Sequence, residues 1–142
     1  MTQNVNQFGM SLEKGVLALS KENLFDFQID SSSVATIPSG SAVKQTGSNI
    51  CDLATAASDS IFGFVLYESR KSSFVAKDFV RVASTGTTIM MEASAAILID
   101  ADLEIVPTGE KVATKSAGTS IGTALDAAAA DGDLIRVLIK TK

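Results

Sequence analysis

The side chains with the most chemical potential in this sequence are its carboxylates. Asp100, Asp102 and Glu104 recur at alternate positions in the run Asp-Ala-Asp-Leu-Glu. In an extended strand, alternate residues share a face, so the three could converge as oxygen ligands for a hard cation such as Ca²⁺. The run lacks the central glycine and the distal Glu of a helix-loop-helix calcium loop, and a solvated strand face accounts for the same spacing. Asp126, Asp131 and Asp133 flank an alanine run that ends in Asp-Gly-Asp. That ending is a turn signal, because Asp accepts bonds from nearby backbone and Gly admits positive φ. No two carboxylates are spaced for acid–base work. Cys51 is the sole cysteine, so no intrachain disulfide can form, and a small buried hydrophobe is its expected role.

The absence of histidine narrows the chemistry further. It removes Ser-His-Asp and Cys-His nucleophiles, histidine general bases and histidine metal sites together. The glycines form neither a dinucleotide fingerprint nor a phosphate-cradling loop. Seven Phe and one Tyr, with no Trp, are poor material for stacking sugars or bases. No catalytic residue, cofactor or metal site is therefore expected, and the chain is expected not to be an enzyme. Its function should lie in its surface.

The bulk numbers bound what that surface can meet. With 142 residues, 46% hydrophobic and 20% charged, the chain has the length and composition of one folded domain. The net charge is −4, and Arg70-Lys71 is the densest basic spot. Nucleic acid is an unsuitable partner, since polyanion binding needs several cations on one face. The longest apolar runs, residues 61–67 and 95–99, are far too short to span a membrane. The N-terminus lacks the basic start and long apolar stretch of a secretory signal.

The elements that would carry this surface are short strands. Ile135, Val137 and Ile139 alternate with Leu134, Arg136, Leu138 and Lys140, the pattern of a half-buried antiparallel strand. Phe25, Phe27 and Ile29 alternate with Leu24, Asp26 and Gln28. Val80 and Val82 share one face while Phe79 and Arg81 take the other. Residues 61–67 read as a central strand in which Gly63 marks a bulge or a close backbone approach. Residues 34–37, 42–46, 74–76, 87–93, 95–99 and 111–114 also read as strands, and residues 46–60 as a surface loop. Turns of Gly, Ser, Asp and Pro separate them. The fold class is all-β: a compact β-sandwich or barrel of about ten short antiparallel strands. Residues 1–12 carry no charged side chain and are rich in Asn and Gln. They read as either a frayed terminus or an extended N-terminal arm, with Val5, Phe8 and Met10 as candidate anchors on a neighbouring subunit. Residues 13–142 form the single β-rich domain.

An internal echo runs through the chain. Residues 108–114, 121–125 and 133–137 follow the same order as residues 39–45, 61–65 and 78–82, and Asp-x-x-Arg-Val closes both sets. It implies two similar β units packed face to face. The closing unit carries a second likeness, through Gly109, Val112, Ile121-Gly-Thr-Ala-Leu125, Ala127-Ala128 and Gly-Asp-Leu-Ile-Arg-Val-Leu-Ile at residues 132–139. In this order it resembles the small bacteriophage head decoration proteins of the structural cement type. The resemblance is good over residues 107–140, loose over residues 38–107 and absent before them.

The resemblance implies a virion protein on the outer capsid surface. Its expected partner is the major capsid protein, its expected state a homotrimer, and its expected work the stabilisation of an expanded head. It implies no catalytic residue, small-molecule substrate, membrane or nucleic acid. Two other readings stand beside it. One is a virion fibre base or host-surface adhesion module that binds through residues 46–60. The other is a small hydrolase that uses Asp or Ser without histidine.

Overall fold

A computed structural model of the protein describes residues 23–68, 71–107 and 109–141. Among them are twelve short strands and no helix: β1 (Leu24–Ile29), β2 (Ile37–Pro38), β3 (Ala42–Gly47), β4 (Ile50–Leu53), β5 (Gly63–Val65), β6 (Ser73–Phe74), β7 (Phe79–Ala83), β8 (Thr88–Glu92), β9 (Asp102–Ile105), β10 (Val112–Thr114), β11 (Gly122–Ala124) and β12 (Leu134–Ile139). The all-β expectation holds, with a barrel as its first half. Strands β1-β4-β3-β5-β7 close on themselves, β10-β9-β11-β12-β8 form a five-stranded sheet, and β2 pairs with β6. The arm at residues 1–12 lies outside the described residues.

The two halves are tandem copies of one unit. The barrel order is β1-β4-β3-β5-β7 and the open sheet runs β10-β9-β11-β12-β8, so β4, β3, β5, β7 and β1 are matched in turn by β10, β9, β11, β12 and β8, with the sheet left unclosed between β8 and β10. The senses match as well. β1 meets β4 in parallel, and a single parallel bridge, Ala93 to Val112, draws the sheet toward the same closure. All other neighbours are antiparallel. The β2–β6 pair, Ile37 opposite Phe74, is matched by a bridge between Ile97 and Ala128.

Individual hydrogen bonds repeat too. Ile29 N donates to Asp78 O and Ala93 N to Asp133 O, both at 2.8 Å. Asp30 N donates to Cys51 O and Ser94 N to Val112 O, at 2.8 and 2.9 Å. Lys77 and Gly132 occupy equivalent left-handed positions, as do Gly40 and Asp100.

Turn chemistry launches the third strand of the echo in each unit. Asp78 N donates to Val75 O while Val75 N donates back to the Asp78 carboxylate. Asp133 and Ala130 repeat the exchange. This is why Asp-x-x-Arg-Val occurs twice: its Asp ends a turn by binding backbone three residues earlier. The other echo segments are corrected by register. Gly63 corresponds to Gly122, one residue off the alignment read from sequence. Residues 42–45 correspond to 102–105, and residues 51–53 to 112–114, because β9 lies between β10 and β11.

Both glycines are required by close approach. A Cβ on Gly63 would run into Ala83 O, and one on Gly122 into Leu138 O, at equivalent places.

Alternation sorts the side chains. Phe27, Ile29, Ile37, Val43, Cys51, Val65, Phe74, Val80 and Val82 fill the first barrel. Their neighbours of opposite parity, Ala42, Phe64 and Ala83, face outward into a second core with the interior of the second unit, including Met91, Leu103, Val112, Ile135 and Val137. The units therefore pack mouth to wall. The mouth of the second unit, Ile89, Ile105, Ile121 and Ile139, is fully buried, in the core that also holds that wall of the first barrel.

Several strand assignments change: of residues 34–37 only Ile37 is in a strand, β2, and of residues 74–76 only Phe74, in β6. Residues 46–60 are not one loop: they contain β4, whose Cys51 alternates into the barrel. Residues 95–99 are not a strand: only Ile97 is buried, bridged to Ala128, while Leu98 and Ile99 remain exposed ahead of the turn at Asp100. Residues 61–67 shorten to β5, three buried residues.

Candidate functional site

The carboxylates are occupied by the fold. Glu104 accepts from the backbone N–H groups of Ser116 and Gly118, which hold its carboxyl below the usual range. Asp102 accepts from Ser120 Oγ, so β9 pins residues 116–120 from one face. Asp100 is a left-handed turn residue, φ 65°, and does not join them. Asp126 takes Arg136 Nε at 2.9 Å and Nη2 at 2.8 Å. Asp131 pairs with Lys111 at 2.7 Å, and Asp133 takes the N–H groups of Ala129 and Ala130. Among the described residues, no group of three or more Cys, Asp or Glu side chains is placed to hold a metal ion. Cys51 is fully buried, and burial, then the nearby charge of Asp52, pushes its thiol up to about 12. At neutral pH it is a protonated core hydrophobe.

The surface is more informative. At the mouth of the first barrel, Phe25 remains 47% exposed. Its ring stands edge-on to Phe62 at 5.1 Å, and Phe62 stands edge-on to Phe27 at 4.9 Å. Two hollows flank Phe62. One, about 360 Å³, is lined by Asn23, Phe25, Phe62, Ser84, Thr85 and Thr141. The other, about 340 Å³, is lined by Gln45, Gly47, Ser60 and Phe62.

The rim is tied together by side-chain hydrogen bonds. Asn23 N donates to Thr87 Oγ1 at 2.7 Å, Ser84 Oγ to Phe62 O at 2.9 Å, and Thr141 Oγ1 to the same carbonyl at 3.1 Å. Aromatic groups ringed by hydrogen-bonded polar groups are the make-up of a protein-binding surface.

A third depression, about 590 Å³, lies on the wall of the same barrel between Leu24, Leu66, Tyr67 and Phe79, with Asp26 and Arg81 across it. In the second unit the corresponding place is filled: Arg136, opposite Met90, is clamped by Asp126. Tyr67 stands where Asp126 does, and Arg81 turns to Asp26 instead, at 3.2 Å. Phe79, 74% exposed, edges the open version.

None of these features was singled out from sequence. Phe25 and Phe62 read there as ordinary strand residues, and only the register reveals that they share a barrel end. The predicted anchors Val5, Phe8 and Met10 lie outside the described residues.

No protein-family model matches the sequence, and no curated protein matches it. A solved structure does: the head fiber gp8.5 N base in bacteriophage phi29. The likeness covers 86% of this chain and 97% of that one, with a TM-score of 0.56 and 15% identity. The two chains share a fold almost from end to end.

Proposed function

We propose that this chain is a structural protein of a bacteriophage virion that attaches to the outside of the head, as the base module of a head fibre. The observation that carries this reading is the fold likeness to a head fibre base, which spans nearly all of that chain rather than one barrel. The molecular surface agrees with it. The carboxylates described above are spent on turns and loops, and the accessible features are an aromatic mouth and a groove of mixed apolar and charged lining. Such a module does no chemistry. It works by burying surface against the major capsid protein, and repetition over a symmetric shell multiplies a modest affinity.

A second reading, the capsid cement, is favoured by the closing unit. Its Gly, Ala and β-branched order at residues 107–140 resembles head decoration proteins. In that role a homotrimer on the outer surface would stabilise the expanded shell by mass action on that state. Val5, Phe8 and Met10 would add contacts from the arm.

One experiment tests both. Purified protein is incubated with expanded, undecorated heads, which are imaged and then heated. Regular density on the lattice is expected. Heads that bind the protein but open at an unchanged temperature are those of a fibre base, and heads that survive further heating are those of a cemented shell. Bare lattices would end both readings. Removing residues 1–12 should leave the fold intact and weaken head binding; unchanged binding would deny the arm a role.

A further inference from the structure

We propose that the mouth of the first barrel binds the wall of the second unit in another copy of this chain. This interface would repeat between molecules the packing that joins the two units within one. The argument stands apart from the phage reading, since it uses only the tandem repeat.

Within the chain, the mouth of the second unit and the wall of the first contribute to one buried core. Ile89, Ile105, Ile121 and Ile139 form the mouth; Leu24, Ala42, Phe64 and Ala83 lie on the wall. The loops at that mouth complete the contact. Ala42 N donates to Gly109 O at 2.8 Å, and Thr119 N to Ala57 O at 2.7 Å. Each unit has one mouth and one wall, so the chain is left with a spare of each: the mouth of the first barrel and the wall of the second unit.

Strand register identifies both spares. Phe25, Gln45, Phe62 and Ser84 stand where the four isoleucines do. Thr88, Asp102, Thr123 and Leu138 stand where Leu24, Ala42, Phe64 and Ala83 do; Thr88 is buried within its own chain, so the accessible part of this wall is Asp102, Thr123 and Leu138.

The replacements are correlated. On the mouth, aliphatic residues give way to two aromatics, an amide and a hydroxyl. On the wall, Ala and Phe give way to Asp and Thr, with Leu138 kept half-buried at the centre. An interface that never meets solvent can be wholly aliphatic. One that is exposed before assembly needs polar groups around a small aromatic core. Phe25, 47% exposed and braced by Phe62, is the anchor on the mouth side. Thr123 and Leu138, neighbours on paired strands, form the surface it meets. The two patches differ, so the contact is head-to-tail: every copy offers one mouth and one wall.

That asymmetry gives a sharp test. The mass of the wild-type chain is measured in solution over a concentration series, beside Phe25→Ser (mouth) and Thr123→Lys (wall). The wild type should form a species larger than a dimer. Each variant alone should dissociate, with the dissociation constant raised about 30-fold, as for loss of a hot-spot side chain. An equimolar mixture of the two variants should stop at dimers, because only one intact mouth–wall pair can form between them. Thermal unfolding checks that each variant is folded, and Gln45→Arg, at an exposed position, replaces the mouth variant if Phe25→Ser is not. A wild type that is monomeric throughout the series would overturn the proposal. Folded variants that assemble like the wild type, or a mixture that remains monomeric, would overturn it equally.

Discussion

Two side chains show how thoroughly the fold has taken over groups that sequence marks as reactive. Cys51 lies inside the first barrel with its thiol pushed up to about 12, so thiolate is scarce and access is blocked. A thiol reagent should leave the native protein unlabelled and react fully in denaturant; prompt native labelling would show that the barrel opens there. Asp126 is the counterpart among the acids. The side-chain hydrogen bond from Arg136 is the main reason its carboxyl sits below the usual value. A folded-state value below the unfolded one adds stability that is complete above the ordinary carboxylate range and disappears as pH falls through the folded value. Asp126→Asn should therefore lower the denaturation midpoint at about pH 7, and the gap to wild type should close by about pH 2. A gap that stayed constant with pH would mean that the pair contributes by packing alone. The acidic clusters were visible in the sequence, but their partners were not. Glu104 is satisfied by N–H groups twelve and fourteen residues away, and no spacing rule reports that.

Strands and turns were more legible, and the reason is local physics. β1, β7 and β12 were readable because a two-residue period with one apolar face is written directly in the side chains. β4 was missed because Ile50-Cys-Asp-Leu lies among small polar residues and its pairing with β1 and β3 is long-range. The error over residues 95–99 is the opposite one. Ala-Ala-Ile-Leu-Ile is apolar enough for a strand, yet only Ile97 finds a partner, through the bridge to Ala128. The close-approach reading of Gly63 held, and its twin is Gly122. Gly63→Ala and Gly122→Ala should each cost about 2 kcal/mol or more, since the added methyl meets a carbonyl that is fixed in the strand pairing. Equal melting of either variant and the wild type would contradict that. Asp133→Ala removes two bonds to backbone N–H groups and should cost about 1–2 kcal/mol in a denaturant titration.

At the scale of the molecule, the repeat is the organising fact. Fusing two copies lets one barrel wall cover the mouth of the next, and burying each isoleucine there contributes about 2 kcal/mol relative to exposure. The second unit expressed alone would expose that mouth, so residues 88–141 should fail to fold while the whole chain unfolds in one transition. Two separate transitions would show that the units are independent. The sequence carried the repeat only faintly, because structure conserves strand order and hydrogen-bond register while Phe exchanges with Ile, Ala with Asp and Cys with Val. Those exchanges separate the covered surfaces from the uncovered ones, and the uncovered ones are where function belongs. The function proposed above is that this chain is a structural component of a virion head. On that proposal a phage encodes the chain, and the direct measurement is its quantity, relative to the major capsid protein, in purified particles of that phage. A fixed stoichiometric ratio that survives repeated purification is the expected result. Its absence from the particles would contradict the account.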